Sequence, residues 1–392
     1  MHLKHKEMNI KNIFAVLSLV IILTSCSSIS NMKFWQSEEV DDDEPKLLKN
    51  FSESKKIILN WTSSFNGINT LGNFPPSISS GNLFFADPEG RISSIDPISG
   101  VFNWTIESNK TLSSGVSSGF NIITVSDTDG YINAYTQSDG TFLWSANTKG
   151  EVLSPSAISA KYVVVKTGSG ELLAVDRISG DLKWSYRSKL PTLTIRGSSS
   201  PVILEDKVYA VFDNGRIGVF DLNSGFPIWD GAISYVTGSS ELESLIDADA
   251  SPLIEGGLIY SANYQGNLTI FDLAQKRAVW QSEASSFFTP LIIKSLIVLV
   301  ESNSNLKSFS TQTLQESWST NEYTNRILSN PSNFGGYILV GDFEGYVHVI
   351  DPLNGKTIGR KKISKKAIKS IISRSKNFYV VDEALNIFSL SI

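Results

Sequence analysis

A-V-D-R-I-S-G-D-L-K-W, from Ala174 to Trp184, is the stretch that decides the fold. Its skeleton is an Asp, a Gly four residues on and a Trp eight residues on. The same skeleton returns as Asp96, Gly100 and Trp104, and as Asp221, Gly225 and Trp229. Partial copies keep Thr136, Gly140 and Trp144, then Asp272 and Trp280, Ser310 and Trp318, and Asp351 with Gly355 and a Gly359 in the Trp position. The leading positions 96, 136, 176, 221, 272, 310 and 351 are separated by 40, 40, 45, 51, 38 and 41 residues. A self-similar period near forty with strand-type patterning is the signature of a propeller blade.

Each copy reads as strand, turn, strand. The run before the Asp usually opens with Gly, as in G-R-I-S-S-I-D at 90–96, G-E-L-L-A-V-D at 170–176 and G-Y-V-H-V-I-D at 345–351. Such runs are rich in Ile, Val, Leu, Phe and Tyr and are bounded by turn residues, which predicts strands. The Asp–x–x–Ser–Gly segment is then a tight turn: Asp and Ser side chains bond nearby amides, and Gly supplies positive φ. The Trp falls on the next strand, where its ring can wedge between blades and bury about 150–250 Å². Asp96, Trp104, Trp144, Asp176, Trp184, Asp221, Trp229, Asp272, Trp280, Trp318 and Asp351 are therefore expected to build the repeat.

The strand count also predicts how the ring closes. The first Trp-type strand, I-I-L-N-W-T-S at 57–63, precedes any Gly-to-Asp partner, and the last Gly-to-Asp-type strand, L-N-I-F-S-L-S at 385–391, has no Trp strand after it. Pairing the two completes one blade and removes open edges. The expected fold is all-β: an eight-bladed β-propeller of four-stranded blades over 57–392, with the N-terminal strand outermost in the final blade.

Residues 1–25 read as a secretory signal. Lys4, Lys6 and Lys11 give a basic start, and Ile13 to Leu23 is an apolar run too short for a ~20-residue membrane span. Met8 is a second candidate initiator. The closing L-T-S-C resembles the lipobox of bacterial lipoproteins, which implies acylation of Cys26, the sole cysteine. Ser27 in place of Asp implies, by the same resemblance, sorting to the outer membrane. Several acyl chains on one residue would anchor durably. Residues 26–56, with Asp41, Asp42, Asp43 and Glu44, read as a flexible acidic tether.

Composition narrows the chemistry. Loss of residues 1–25 removes three Lys and one Glu, moving the formal net charge from −5 to −7. An acidic chain without a concentrated basic groove argues against nucleic acid. His348 is the only histidine after the signal and lies inside a strand. Neither a metal-spaced Cys/His cluster, nor G-x-S-x-G, nor a phosphate-type Gly loop is present. D-A-D-A-S-P at 247–252 lacks the third acidic ligand, the Gly and the distal Glu of a calcium loop. The basic run from Arg360 to Lys376 reads either as a solvated face of the last blade, its lysines discouraging edge pairing, or as a surface for anionic headgroups.

The A–x–D–x–x–S–G–x–x–x–W pattern resembles the docking motif of pyrroloquinoline-quinone propellers, a family of quinone-dependent dehydrogenases and non-enzymatic relatives. The enzymes commonly carry adjacent cysteines beside the cofactor, whereas the one cysteine here sits in the lipobox. Nearly the whole chain resembles the BamB family of lipoproteins of the outer-membrane β-barrel assembly machinery. The likeness is carried by L-T-I-R-G-S-S-S-P at 193–201, G-S-S-E-L-E-S-L-I-D-A-D-A-S-P at 238–252, Y-Q-G-N-L-T at 264–269 and V-G-D-F-E-G-Y-V-H at 340–348. It implies a non-enzymatic scaffold without cofactor, facing the periplasm, that docks on the POTRA domains of BamA beside other subunits of the machinery. Unfolded β-barrel substrates are further candidate partners. The docking residues it implies are Leu193, Ile195 and Arg196 on one insertion and Asp247 and Asp249 on the other. From the residues alone, the two Asp also fit turn formation or helix capping. Two other readings stay open at this level: a quinone-dependent periplasmic dehydrogenase and a cell-envelope ligand-binding module.

Membrane attachment is expected to rest on Cys26 alone. Cys26→Ala should give unprocessed or released protein without acyl label in a fractionation and labelling experiment; normal acylation and retention would refute the anchor.

Overall fold

The computed structural model describes residues 44–65, 67, 72–189, 197–233 and 249–392. Cys26, Leu193, Ile195, Arg196 and Asp247 lie outside the described residues.

Strands pair into eight four-stranded antiparallel sheets, the blades of a propeller. Blades 1 to 7 are consecutive in the chain. Blade 3 typifies them, with strands Ala157–Ile158, Tyr162–Lys166, Glu171–Asp176 and Leu182–Arg187 in spatial order. Blade 8 is composite: Ile368–Arg374, Asn377–Asp382 and Asn386–Ser391 are joined on the outside by Ile58–Ser64. The seam runs antiparallel from Ile58 opposite Ser391 to Ser64 opposite Asn386. The closure expected from the unpaired end strands is the one observed.

Eight apolar cores explain why the blades hold together. Each is shared by two neighbouring blades: Val164, Leu172 and Trp184 of blade 3 meet Val208, Ala210 and Phe220 of blade 4. The last such core sets Tyr379, Val381 and Ile387 of blade 8 against Leu83, Phe85 and Ile95 of blade 1, so the series returns to its start. First strands of neighbouring blades touch around the axis, while the fourth strands are the exposed outer ones.

The repeat residues are the clamps between blades. Asp96 accepts the Ser99 amide and hydroxyl at 2.7 Å each, and Asp176 accepts the amides of Ile178 and Ser179 at 2.9 and 3.0 Å. The Ser99 bonds, backbone first, hold Asp96 below the ordinary carboxylate range. Each turn then sits on the Trp of the preceding blade. The indole N–H of Trp61, Trp104, Trp144, Trp184 and Trp318 donates to the carbonyl of Pro97, Gln137, Arg177, Leu222 and Pro352, at 3.1, 3.1, 2.9, 2.8 and 2.7 Å. The turn glycine is required twice over: Gly180 has φ +77°, and a Cβ there would stand 2.7 Å from the Trp144 ring. Blades 5 and 6 put Lys276 and Leu314 in that place, at φ 53° and 57°. In every blade the residue before the Trp position is left unpaired by a bulge, as Lys183 is between the pairs Ala174–Trp184 and Val175–Leu182. A bulge bends and re-aims a strand, here turning the indole toward the next blade. Blade 6, whose sequence is degenerate over 302–310, still forms its four strands.

Gly359, the one copy without a Trp, has a physical cause. The carbonyl of Lys55 lies where its side chain would go, 2.3 Å from the position of a Cβ. The amides of Ser54 and Lys55 both donate to the carbonyl of the bulge residue Ile358 at 2.9 Å, and Ile57 is buried in the core between blades 7 and 8. The segment continues back along blade 7. Lys49 and Lys46 offer their carbonyls to Arg360 and Arg326, both at 2.9 Å, and the Lys46 amide donates to the Thr324 carbonyl at 3.0 Å. The chain's own N-terminal segment thus fills the place of the missing indole. This corrects the tether expected over 26–56: residues 45–56 are docked, because they satisfy two arginines and a bulge carbonyl on blade 7.

Truncation to residue 45 should leave thermal stability unchanged, whereas truncation to residue 57 should cost about 2 kcal/mol or more through lost hydrogen bonds and an emptied groove. Thermal melts of the two truncations decide this; equal melting temperatures would contradict the structural role of 45–56.

Candidate partner-docking face

In each blade the first strand begins, and the second and fourth end, on one face of the ring. That face carries the described links between blades, including the bases of the two long insertions, and also the turns between second and third strands. Asp87, Asp127, Asp342 and Asp382 end second strands there. Each accepts the amide four residues on, from Arg91, Tyr131, Tyr346 and Asn386, at 3.0, 2.9, 3.0 and 2.9 Å. Thr167 and Asn263 do the same in blades 3 and 5. This second repeat, complete as D-x-x-G at 87–90, 127–130 and 342–345 and partial elsewhere, is present in the sequence and was masked by the stronger Asp–Gly–Trp pattern.

Of the expected docking residues, Asp249 is described. Its Oδ1 accepts the Ser198 amide at 2.6 Å and the Ser198 hydroxyl at 2.9 Å. Asp249 belongs to the second insertion and Ser198 follows Arg196 by two residues, so the bases of the two insertions are joined. Ser200 N–H donates to the Ser251 hydroxyl at 2.9 Å, repeating the link one step further in. Below them, Lys166 of blade 3 is 4 % exposed and donates to the Ser199 hydroxyl at 2.6 Å and the Val211 carbonyl at 3.0 Å. Burial raises the Asp213 carboxyl above its ordinary range, opposed by Lys166 and by the Gly197 amide.

Between the inner strands this face opens as a funnel of about 640 Å³, lined in part by Leu153, Ser198, Asp249, Phe287, Phe288 and Ile371. Phe287 is stacked on Tyr264, with ring centroids 4.5 Å apart and an interplanar angle of 15°. Among the described residues no group of three or more His, Cys, Asp and Glu could hold a metal ion. Polar lining, aromatic anchors and loops fixed at their bases suit contact with a protein surface.

The basic run is divided between structure and solvent. Arg360 donates to His348 Nδ1 at 3.1 Å, pairs with Glu322 at 3.1 Å and lies over the Phe51 ring at 4.9 Å. Lys361 reaches the Ile57 carbonyl at 3.1 Å, and Lys369 pairs with Glu383. The reading as a solvated face therefore fails for Arg360 and Lys361, which hold the N-terminal segment on blade 7. His348 is fully buried. Its Nδ1 accepts from Arg360, so Nε2 carries the proton and donates to Asp342 at 3.0 Å. Arg326 closes the network through Asp342, at 2.7 Å, and Glu344. Burial resists the Asp342 charge, but bonds from His348 and Arg326 outweigh it and hold the carboxyl below its usual range.

Comparison with known proteins agrees with this architecture. A family model described as outer membrane protein assembly factor BamB matches residues 88–320. The outer membrane protein assembly factor BamB of Pseudomonas aeruginosa is 39 % identical over 91 % of this chain and 92 % of its own length. That of Legionella pneumophila is 36 % identical over 92 % and 96 %. The crystal structure of BamB from Moraxella catarrhalis superposes with a TM-score of 0.78 at 23 % identity, covering 86 % of this chain and all of that one, a likeness of fold.

Burial lowers the His348 pKa below the ordinary imidazole range; Asp342 pulls upward, while Arg360 and Arg326 push it further down. A folded-state value below the unfolded one means that stability is full above pH ~6.5 and declines as the pH falls, because the unfolded chain binds the proton first. The melting temperature should therefore drop between about pH 7.5 and pH 5, above the carboxylate range, and His348→Gln should flatten that slope. A wild-type melting temperature that stays constant over this window would contradict the neutral, buried imidazole.

Proposed function

The chain belongs to the family of the outer membrane protein assembly factor BamB, and on that premise we propose that it is a non-enzymatic scaffold of outer-membrane protein assembly that docks on the POTRA domains of BamA. It works from the outer membrane, held through acylated Cys26 with the propeller on the periplasmic side. Leu193, Ile195 and Arg196 on the first insertion supply the contact, with Asp247 and Asp249 on the second acting directly or by positioning the first.

One observation carries this reading: the two insertions leave the same face of the ring at successive blade boundaries, and Asp249 ties their bases together through Ser198. Binding residues gather on loops held by a rigid scaffold, and an Arg with two apolar neighbours has the composition of an interface hot spot. The interblade clamps supply the rigidity. A scaffold of this kind needs no reacting group, and its contribution to assembly is to hold the partner's domains in one arrangement.

Arg196→Ala should weaken binding to isolated POTRA domains by roughly 2 kcal/mol, about thirty-fold, with an unchanged melt. Titration by calorimetry measures it. Agreement with wild type within about twofold would remove Arg196 from the interface.

A further inference from the structure

The base of the first insertion, Gly197 to Ser200, is held from blades 3, 4 and 5 at once. Lys166 of blade 3 binds the Ser199 hydroxyl, Ser154 of the same blade donates to the Ser199 carbonyl at 3.1 Å, and Asp249 and Ser251 reach it from the entry to blade 5. A fifth contact comes from Asp213, whose Oδ2 accepts the Gly197 amide at 3.4 Å. Asp213 is out of place in the repeat. The Gly215 amide closes its turn onto the Phe212 carbonyl, as the Gly90 and Gly130 amides close theirs onto Asp87 and Asp127. Phe212 therefore occupies the turn-capping position, and the carboxylate has moved one residue on, to Asp213. The displaced side chain no longer caps its own turn. It is 5 % exposed, one of its oxygens is without a hydrogen-bond partner among the described residues, and the other faces the base of the insertion.

We propose that Asp213 and Asp249 are positioning residues for docking: two carboxylates from different blades clamp the Gly197–Ser198 backbone and so set where Arg196 leaves the ring. This deepens the docking reading above and rests on it. Asp249 acts through Ser198 rather than by meeting a cation on the partner. Among the described residues, its Oδ1 accepts two bonds, both from Ser198, one of them a short 2.6 Å contact from the backbone amide. A carboxylate engaged twice within its own chain is an acceptor in a fixed place, and what matters is the oxygen, not the charge.

That distinction makes the proposal testable. Asn keeps an acceptor oxygen at the same reach and loses the charge, whereas Ala loses both. Full-length protein carrying Asp249→Asn should bind isolated POTRA domains within about threefold of wild type, while Asp249→Ala should bind at least about tenfold more weakly. Asp213→Asn and Asp213→Ala should show the same order with smaller losses. Equal weakening by Asp249→Asn and Asp249→Ala would mean that the partner reads the charge and would overturn the proposal, as would Asp249→Ala binding like wild type. Should the Ala variants fail to fold, wild type alone still decides the clamp: the Ser198 amide should exchange with deuterium as slowly as strand amides of blade 4, and loop-like rapid exchange would overturn it. Failure of the docking reading looks different, since wild type and Arg196→Ala would then bind equally or not at all, with the Ser198 amide still protected.

Discussion

A propeller blade cannot bury its own faces, and this constraint governs the rest of the molecule. Each four-stranded sheet is apolar on both sides and exposed at its outer edge, so it is stable only between two others. Eight cores each shared by a pair of blades satisfy that need, provided the first blade meets the last. Closure depends on Ile58–Ser64, which enters from the opposite end of the chain to cover the outer edge of Asn386–Ser391. Without it Asn386–Ser391 would be an open edge, and the Trp61 indole would be missing from the boundary with blade 1.

Five of the eight boundaries are built with one device, an indole donating to a turn carbonyl while its ring covers a glycine. Where the device is absent, something else takes its place. At the boundary between blades 7 and 8 the substitute is residues 45–57, whose backbone crosses Gly359 and whose Ile57 enters the core. Arg326 and Arg360 tie this segment to the buried Asp342–His348 pair, so the start of the propeller and its seventh blade stabilise each other. A ring sealed on all sides holds its loop bases still, and this is the property that a docking scaffold uses.

Most of the fold was legible in the sequence because its determinants are local. Asp176, Gly180 and Trp184 lie within nine residues and repeat at a regular interval, so periodicity alone reveals strand, turn and strand. The closing strand was legible by counting, since 57–63 and 385–391 were each left without a partner. What escaped was long-range and unpatterned. Residues 45–56 are polar and aperiodic, and their partners Arg326, Ile358 and Arg360 are roughly three hundred residues away. A basic run likewise hides that Arg360 serves an internal bond while Lys369 faces solvent. The proposed docking residues rest on resemblance alone, because no spacing rule marks a protein-binding loop. Asp213 could have been read from the sequence, as the one carboxylate shifted by a residue from its place in the second repeat.

The central claim is that the ring is one cooperative unit sealed by a strand from each end of the chain. Native-state hydrogen exchange of the Ile58–Ser64 amides tests it most directly, compared with the inner strands of blades 3 and 4. The account predicts that the hydrogen-bonded amides of the seam strand exchange only through the same global opening, with the same dependence on denaturant. Exchange of Ile58–Ser64 through a separate, low-energy opening, with blades 3 and 4 still protected, would contradict it.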